Sequence, residues 1–255
     1  QTLEPWTGAR EIAAFEIASP VLWSPKSPAL YSCSVTIKSS AGEQKVADRF
    51  GLRSVEWVPY GPFKLNGERL ALHGTHYHED HAGVAAAVPD EVVRQTLRAM
   101  KEMGVNFVRL GHYQQAPLVL ELCDELGLLV WEEIPWCRGG LGGERYRQQC
   151  RDMQRAMIDQ HYNHPSIIMW GLGNENDWPG DFEKFDTNAI RSFIGEGARL
   201  GDAAMARLWS AHDRLARDLH DGPAQSLAAI AMWVNFARRL KVPEEHAQRR
   251  HVPGD

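Results

Sequence analysis

The sequence predicts an α/β protein in which strands come first, strands and helices then alternate, and a helical segment follows. Three patterns carry this. Tyr31, Cys33, Val35 and Ile37 alternate in phase along a half-buried strand. After Pro62, short apolar runs alternate with amphipathic helical stripes. From Ala203 to about Leu240, apolar positions recur at helical spacing, with Met205, Leu208, Leu215, Leu219, Leu227, Ile230 and Val234 opposite a charged face.

In the first segment, Ser39-Ser40-Ala41-Gly42 reads as a turn, and Val46 to Phe50 and Arg53 to Trp57 as further strands. Strands this short and closely spaced suggest the C-terminal part of a small β-sandwich. Asn66-Gly67, set between Phe63-Lys64-Leu65 and Glu68-Arg69-Leu70, is a two-residue hairpin signal.

In the alternating segment, the strands expected are Arg69 to His73, Val105 to Leu110, Leu128 to Trp131 and Ile167 to Trp170. Pro89-Asp90-Glu91 opens a helix whose stripe is Val93, Leu97 and Met100, and Gly104 stops it. Val119, Leu122, Cys123 and Leu126 form a second stripe closed by Gly127, and Tyr146, Cys150, Met153 and Met157 form a third. Buried strands separated by such helices imply a parallel sheet with right-handed crossovers. The pattern shifts again around Gly195, Gly197 and Gly201, and the residues from Val242 to Asp255 are polar.

Composition excludes several classes. The 255 residues are 44% hydrophobic and 24% charged, enough for a sizeable core, and a net charge of −5 gives no reason to expect nucleic acid. Cys33, Cys123, Cys137 and Cys150 contain no CxxC pair and read as free thiols or small buried hydrophobes. No apolar run reaches the ~18 residues of a membrane span. The chain opens on Gln1, not Met, so the absence of a leader says little about compartment, which the sequence leaves unknown. There is no GxGxxG or GxxxxGK[ST] nucleotide fingerprint, and no cofactor is expected.

The chemistry-bearing residues cluster just after the strands: His76 to His81, His112-Tyr113, Glu132-Glu133 and Asn174-Glu175. A β/α barrel places its site at the C-terminal ends of its strands. An open doubly wound sheet would do the same, so periodicity leaves both open. His76, His78, Glu79, Asp80 and His81 are dense enough to suggest a metal site. A rim contacting sugar hydroxyls explains them as well, and no metal is the reading adopted.

Leu22-Trp23-Ser24-Pro25 with Ser27-Pro28-Ala29-Leu30-Tyr31, and Arg49-Phe50-Gly51-Leu52-Arg53, resemble the sandwich domain of family-two glycoside hydrolases and the segment leading out of it. Leu65-Asn66-Gly67, Arg109-Leu110-Gly111-His112-Tyr113, Cys123-Asp124-Glu125-Leu126-Gly127, Asn163-His164-Pro165-Ser166 and Trp170-Gly171-Leu172-Gly173-Asn174-Glu175 match the same family in the same order. The resemblance covers roughly residues 15 to 194. It implies part of an immunoglobulin-like β-sandwich (1–60), the first half of a (β/α) TIM barrel (61–195) and a C-terminal helical segment (196–255).

The resemblance also implies a retaining β-glycosidase acting on galactosides, glucuronides or mannosides. Glu175 would be the acid/base and Asn174 would bind the sugar 2-hydroxyl. His112, His76, Trp136 and Trp178 would contact substrate, Trp136 as a stacking platform. A protonated acid needs surroundings that raise its pKa, and Trp170 and Trp178 near Glu175 suit that. Glu132-Glu133-Ile134-Pro135-Trp136 departs from the metal-ligating segment of the β-galactosidase branch, so that branch's magnesium is not carried over. Retention uses two carboxyl groups ~5–5.5 Å apart. The family's nucleophile lies late in the barrel, and Glu183, Glu196, Glu244 and Glu245, the glutamates after Glu175, end no strand pattern. A full barrel takes ~250 residues, so four strand–helix units and an inactive half site are expected.

Arg214-Leu215-Ala216-Arg217-Asp218-Leu219-His220-Asp221-Gly222-Pro223-Ala224-Gln225-Ser226-Leu227 resembles the phosphoacceptor helix of sensor histidine kinases. That likeness implies His220 as phosphoacceptor, Asp221 as its base and Gln225 as the residue positioning water for dephosphorylation. It also implies a homodimer through the C-terminal helix and a response regulator as partner. The chain therefore reads as two unrelated families meeting near Gly195.

Overall fold

The computed structural model describes residues 15–40, 42–176, 178, 186–218 and 229–230. Its elements are β1 (Phe15–Glu16), β2 (Tyr31–Ser39), β3 (Gly42–Phe50), β4 (Val55–Trp57), β5 (Phe63–Leu65), β6 (Glu68–Arg69) and β7 (Gly74–Tyr77). Then come α1 (Asp90–Glu102), β8 (Phe107–Leu110), α2 (Pro117–Leu126), β9 (Leu129–Glu133), α3 (Glu144–His161), β10 (Ile167–Gly171), α4 (Thr187–Asp218) and β11 (Ala229–Ile230).

β2 and β3 form an antiparallel hairpin from Tyr31↔Phe50 to Ser39↔Gly42. Along β2 the exposed and half-buried residues alternate as the period-two pattern requires. β4, β5 and β6 form a small antiparallel sheet. Its β5–β6 turn places Asn66 at φ 54° and Gly67 at φ 81°, the left-handed pair that a two-residue hairpin needs.

β7, β8, β9 and β10 form one parallel sheet in chain order. The expected strand from Arg69 to His73 is corrected by the structure. The antiparallel ladder ends at Arg69, and the parallel sheet starts at Gly74. Between them the Asn106 side chain holds the linker, accepting from His73 N–H and donating to the Ala71 carbonyl. Leu70 and Leu72 pack instead beside Trp23, Phe63, Leu65 and Leu129. That cluster, with Phe107 and Ile168, fills the N-terminal end of the parallel sheet.

Helices α1 and α2 cover one sheet face. Val93, Leu97, Val119, Leu122 and Cys123 interlock there with Val108, Leu110, Val130 and Ile167. α1 begins with Asp90 and Glu91, acidic residues that suit a helix N-terminus. α2 starts at Pro117, where a missing N–H costs nothing, and ends at Gly127 with φ 68°.

Two expectations about the C-terminal region change. The helix anticipated from Ala203 already begins at Thr187 and runs through Gly195, Gly197 and Gly201. Two of these glycines, Gly197 and Gly201, face α3 at Gln154, whose amide donates to the Gly197 carbonyl at 2.7 Å. A Cβ on Gly201 would lie 3.1 Å from Gln154 Nε2, so glycine marks a close helix contact here and not a break. Ala229–Ile230, expected as helix, is a strand antiparallel to Phe15–Glu16, a pairing that gives both backbones partners. No described helix is long and apolar enough to cross a membrane.

Candidate active site at the strand ends

Register assembles the site. His76, Arg109 and Trp131 lie abreast on β7, β8 and β9, on the face opposite Val108 and Val130, which pack under the helices. The Arg109 guanidinium stacks on the Trp131 ring, 4.4 Å from its centroid. Because side chains alternate along a strand, consecutive residues Glu132 and Glu133 serve opposite faces. Glu132 is buried and pairs with His161 of α3, Nδ1 to Oε1 at 2.8 Å.

Glu133, also fully buried, is the hub of the other face. Its carboxylate accepts from Arg109 Nη2 at 3.0 Å and from Arg109 Nε at 3.3 Å. It also accepts from His112 Nδ1 at 2.6 Å. A buried carboxylate persists only when its charge is paired and its lone pairs are used, and Glu133 meets both conditions. Arg109 then reaches on to Asn174, Nη2 to Oδ1 at 2.8 Å. The Asn174 amide in turn donates to Cys137 Sγ at 3.4 Å. Sequence reading placed Glu133 only in a polar pair and Arg109 only within a motif. The available signal was two acids continuing the apolar run from Leu129 to Trp131.

Glu175 follows β10, is exposed, and adopts φ 48°, a left-handed conformation uncommon outside glycine. Trp178 is 43% exposed, and the Arg138 guanidinium lies 5.2 Å from its ring centroid. His76, His78 and His112 converge: the first two rings stack at 4.5 Å, and His112 meets both edge-on at 5.1 and 5.2 Å. Partial burial, then the neighbouring His78, Arg109 and His112, hold His76 below the usual imidazole range.

Trp136 is corrected. It is 1% exposed, packs edge-on against Phe193 and donates its indole N–H to the Gly140 carbonyl. A stacking platform needs an open ring face, and this ring belongs to the core between α3 and α4. Of the acidic residues beside the histidines, Glu79 accepts the Ala116 N–H at 2.8 Å ahead of α2 and so serves the fold. His220, Asp221 and Gln225 lie outside the described residues.

Residues 58–194 match the family model for glycosyl hydrolases family 2, TIM barrel domain, and residues 1–53 match glycosyl hydrolases family 2. Residues 212–252 match a histidine kinase model. The chain is 57% identical to the solved β-glucuronidase 3 of Bacteroides uniformis, with TM-score 0.70 over 74% of this chain and 24% of that one. It is 55% identical to the solved Parabacteroides merdae β-glucuronidase, with TM-score 0.73 over 76% and 24%. A Bacteroides fragilis β-glucuronidase is 36% identical over 174 residues, 65% of this chain and 25% of its own. The chain spans about a quarter of the length of the relatives it matches. With the parallel sheet, the helix layer and the family's motifs in order, it belongs to family two of the glycosyl hydrolases.

Proposed function

We propose that residues 61–195 carry the acid/base half of a retaining β-glycosidase site whose substrates are β-glucuronides. The observation that supports this best is that Asn174 and Glu175 leave the C-terminal end of β10, with Asn174 tied through Arg109 and Glu133 to His112. Glu175 donates a proton to the glycosidic oxygen and later withdraws one from water, which an exposed carboxyl at a strand end can reach. Asn174, oriented by Arg109, receives the sugar 2-hydroxyl. His76 and Trp178 line the approach. The choice of glucuronides over galactosides or mannosides follows the names of the solved relatives.

Turnover also needs a nucleophilic carboxylate facing Glu175. Among the described residues the only glutamate after Glu175 is Glu196, which lies on α4 and pairs with Arg151 at 3.2 Å in the helix layer. The chain alone is therefore proposed to bind sugar weakly without hydrolysing it. The test is hydrolysis of aryl β-glucuronide, β-galactoside and β-mannoside by this chain, beside a glucuronate titration followed by tryptophan fluorescence. Expected is no turnover and a millimolar fluorescence response. Hydrolysis abolished by Glu175→Gln would show that a second carboxylate does reach the site. A flat titration would remove the sugar-binding reading.

The match at residues 212–252 favours a second reading, confined to the segment 196–255. Here His220 accepts a phosphoryl group, Asp221 orients the ring proton, Gln225 positions water, and the helix pairs with a second copy before a response regulator. Phosphoryl transfer depends on in-line positioning by an ATP-binding domain. Such a domain from a similar kinase, added in trans with radiolabelled ATP, should label the wild type and His212→Gln but not His220→Gln. Label retained in His220→Gln, or absent throughout, removes the second reading.

A further inference from the structure

The three convergent histidines support a use beyond sugar contact. We propose that His76, His78 and His112 together form a binding site for a divalent transition-metal cation of the zinc type.

Strand geometry brings the ligands together. His76 lies in β7, and His78 follows it by two residues, so both project from the same side of the chain. His112 leaves the adjacent parallel strand just beyond the Tyr77↔Leu110 pair. One ligand nitrogen from each imidazole lies within 4.8 Å of the other two. Tetrahedral zinc with three imidazoles at ~2.0–2.1 Å requires nitrogens ~3.3 Å apart. His76 and His78 are both exposed, so small side-chain rotations suffice to close that gap.

A second observation concerns protonation. A Glu133 carboxylate can only accept, so the 2.6 Å contact places the His112 proton on Nδ1 and leaves the Nε2 lone pair free for a metal. A carboxylate holding the remote nitrogen of a ligating histidine is the usual support of a metal imidazole, setting its tautomer and raising its basicity. Glu133 also neutralises Arg109, the cation that would otherwise oppose a metal here. Three imidazoles favour zinc, nickel or copper over the oxygen-seeking magnesium and calcium. The fourth position would be open to water. A cation so placed would occupy two histidines proposed to face the sugar, making metal and sugar competitors.

The experiment is titration of the full chain with zinc alone, followed by calorimetry, with cobalt substitution for its visible spectrum. Wild type should bind one zinc, and binding should be lost in His76→Ala and His78→Ala, both exposed positions where folding is not at stake. Cys137→Ser, which removes an exposed thiol nearby, should bind as wild type. X-ray absorption at the zinc edge should count three imidazole nitrogens and no sulfur. No stoichiometric binding, binding intact in both histidine variants, or a sulfur-containing shell would overturn the site. Failure of the glycosidase reading leaves this test untouched, because zinc is measured without substrate.

Discussion

Arg109 Nη2 sits 2.8 Å from Asn174 Oδ1 while the same guanidinium grips Glu133. One side chain thus links β8, β9 and the loop after β10. The linkage is energetically lopsided, because Glu133 has no exposed surface and Arg109 keeps 24% of its side chain in solvent. Arg109→Met should cost about 3 kcal/mol, the lower end for stranding one member of a buried pair. Adding Glu133→Gln should restore part of the loss, with a coupling of about 1–3 kcal/mol in urea denaturation. If the two substitutions simply add, the pair is not coupled and Arg109 does not depend on Glu133.

Glycine positions separate steric crowding from backbone conformation. A Cβ on Gly171 would fall 2.4 Å from Glu133 Cβ and 2.4 Å from Trp131 Nε1, both inside the sheet. Gly171→Ala should therefore destabilise by at least about 1–3 kcal/mol through overpacking. At Gly67 a Cβ would meet open space, so Gly67→Ala should cost only its φ of 81°, about 1 kcal/mol. Thermal midpoints of the two variants check the order. A Gly171→Ala protein as stable as Gly67→Ala would mean that β9 and β10 are less tightly joined than described.

Much of this was readable in the chain. Val93, Leu97 and Val119 announced helix faces, and Asn66-Gly67 announced a turn, because these signals are local. The motif around Glu175 placed that residue after an apolar strand, and it does follow β10. Trp136 was not separable from a sugar platform, since an indole serves either purpose and only the packing of Phe193 decides. The role of Glu133 was hidden for a related reason: its partners are Arg109 on β8 and His112 in the loop just beyond it. Gly195, Gly197 and Gly201 misled because a glycine's weak helix propensity is local information, whereas the approach of Gly197 and Gly201 to Gln154 of α3 is not.

The joint between the early strands and the parallel sheet should be sensitive to pH. Trp23 donates its indole N–H to the Asp124 carbonyl at 2.8 Å. The Asp124 carboxylate takes the Ser166 N–H and binds His164 Nδ1 at 2.6 Å. Burial pushes the His164 pKa down, but its bond to Asp124 and the nearby Asp124, Glu132 and Asp48 charges outweigh that, so the net shift is upward. A histidine raised in the folded state binds its proton more tightly there than when unfolded. Its contribution is then complete below the unfolded value of about 6.5 and fades as pH climbs through the folded value. Urea midpoints between pH 6 and pH 9 should therefore fall for the wild type. His164→Gln keeps a donor towards Asp124 but cannot titrate, so its midpoints should fall less across the same window. His76, shifted the opposite way, acts below about pH 6.5 and does not confound the comparison. Parallel slopes in the two proteins would mean that His164 carries no charge in the folded chain, and that the Asp124 contact is an ordinary neutral hydrogen bond.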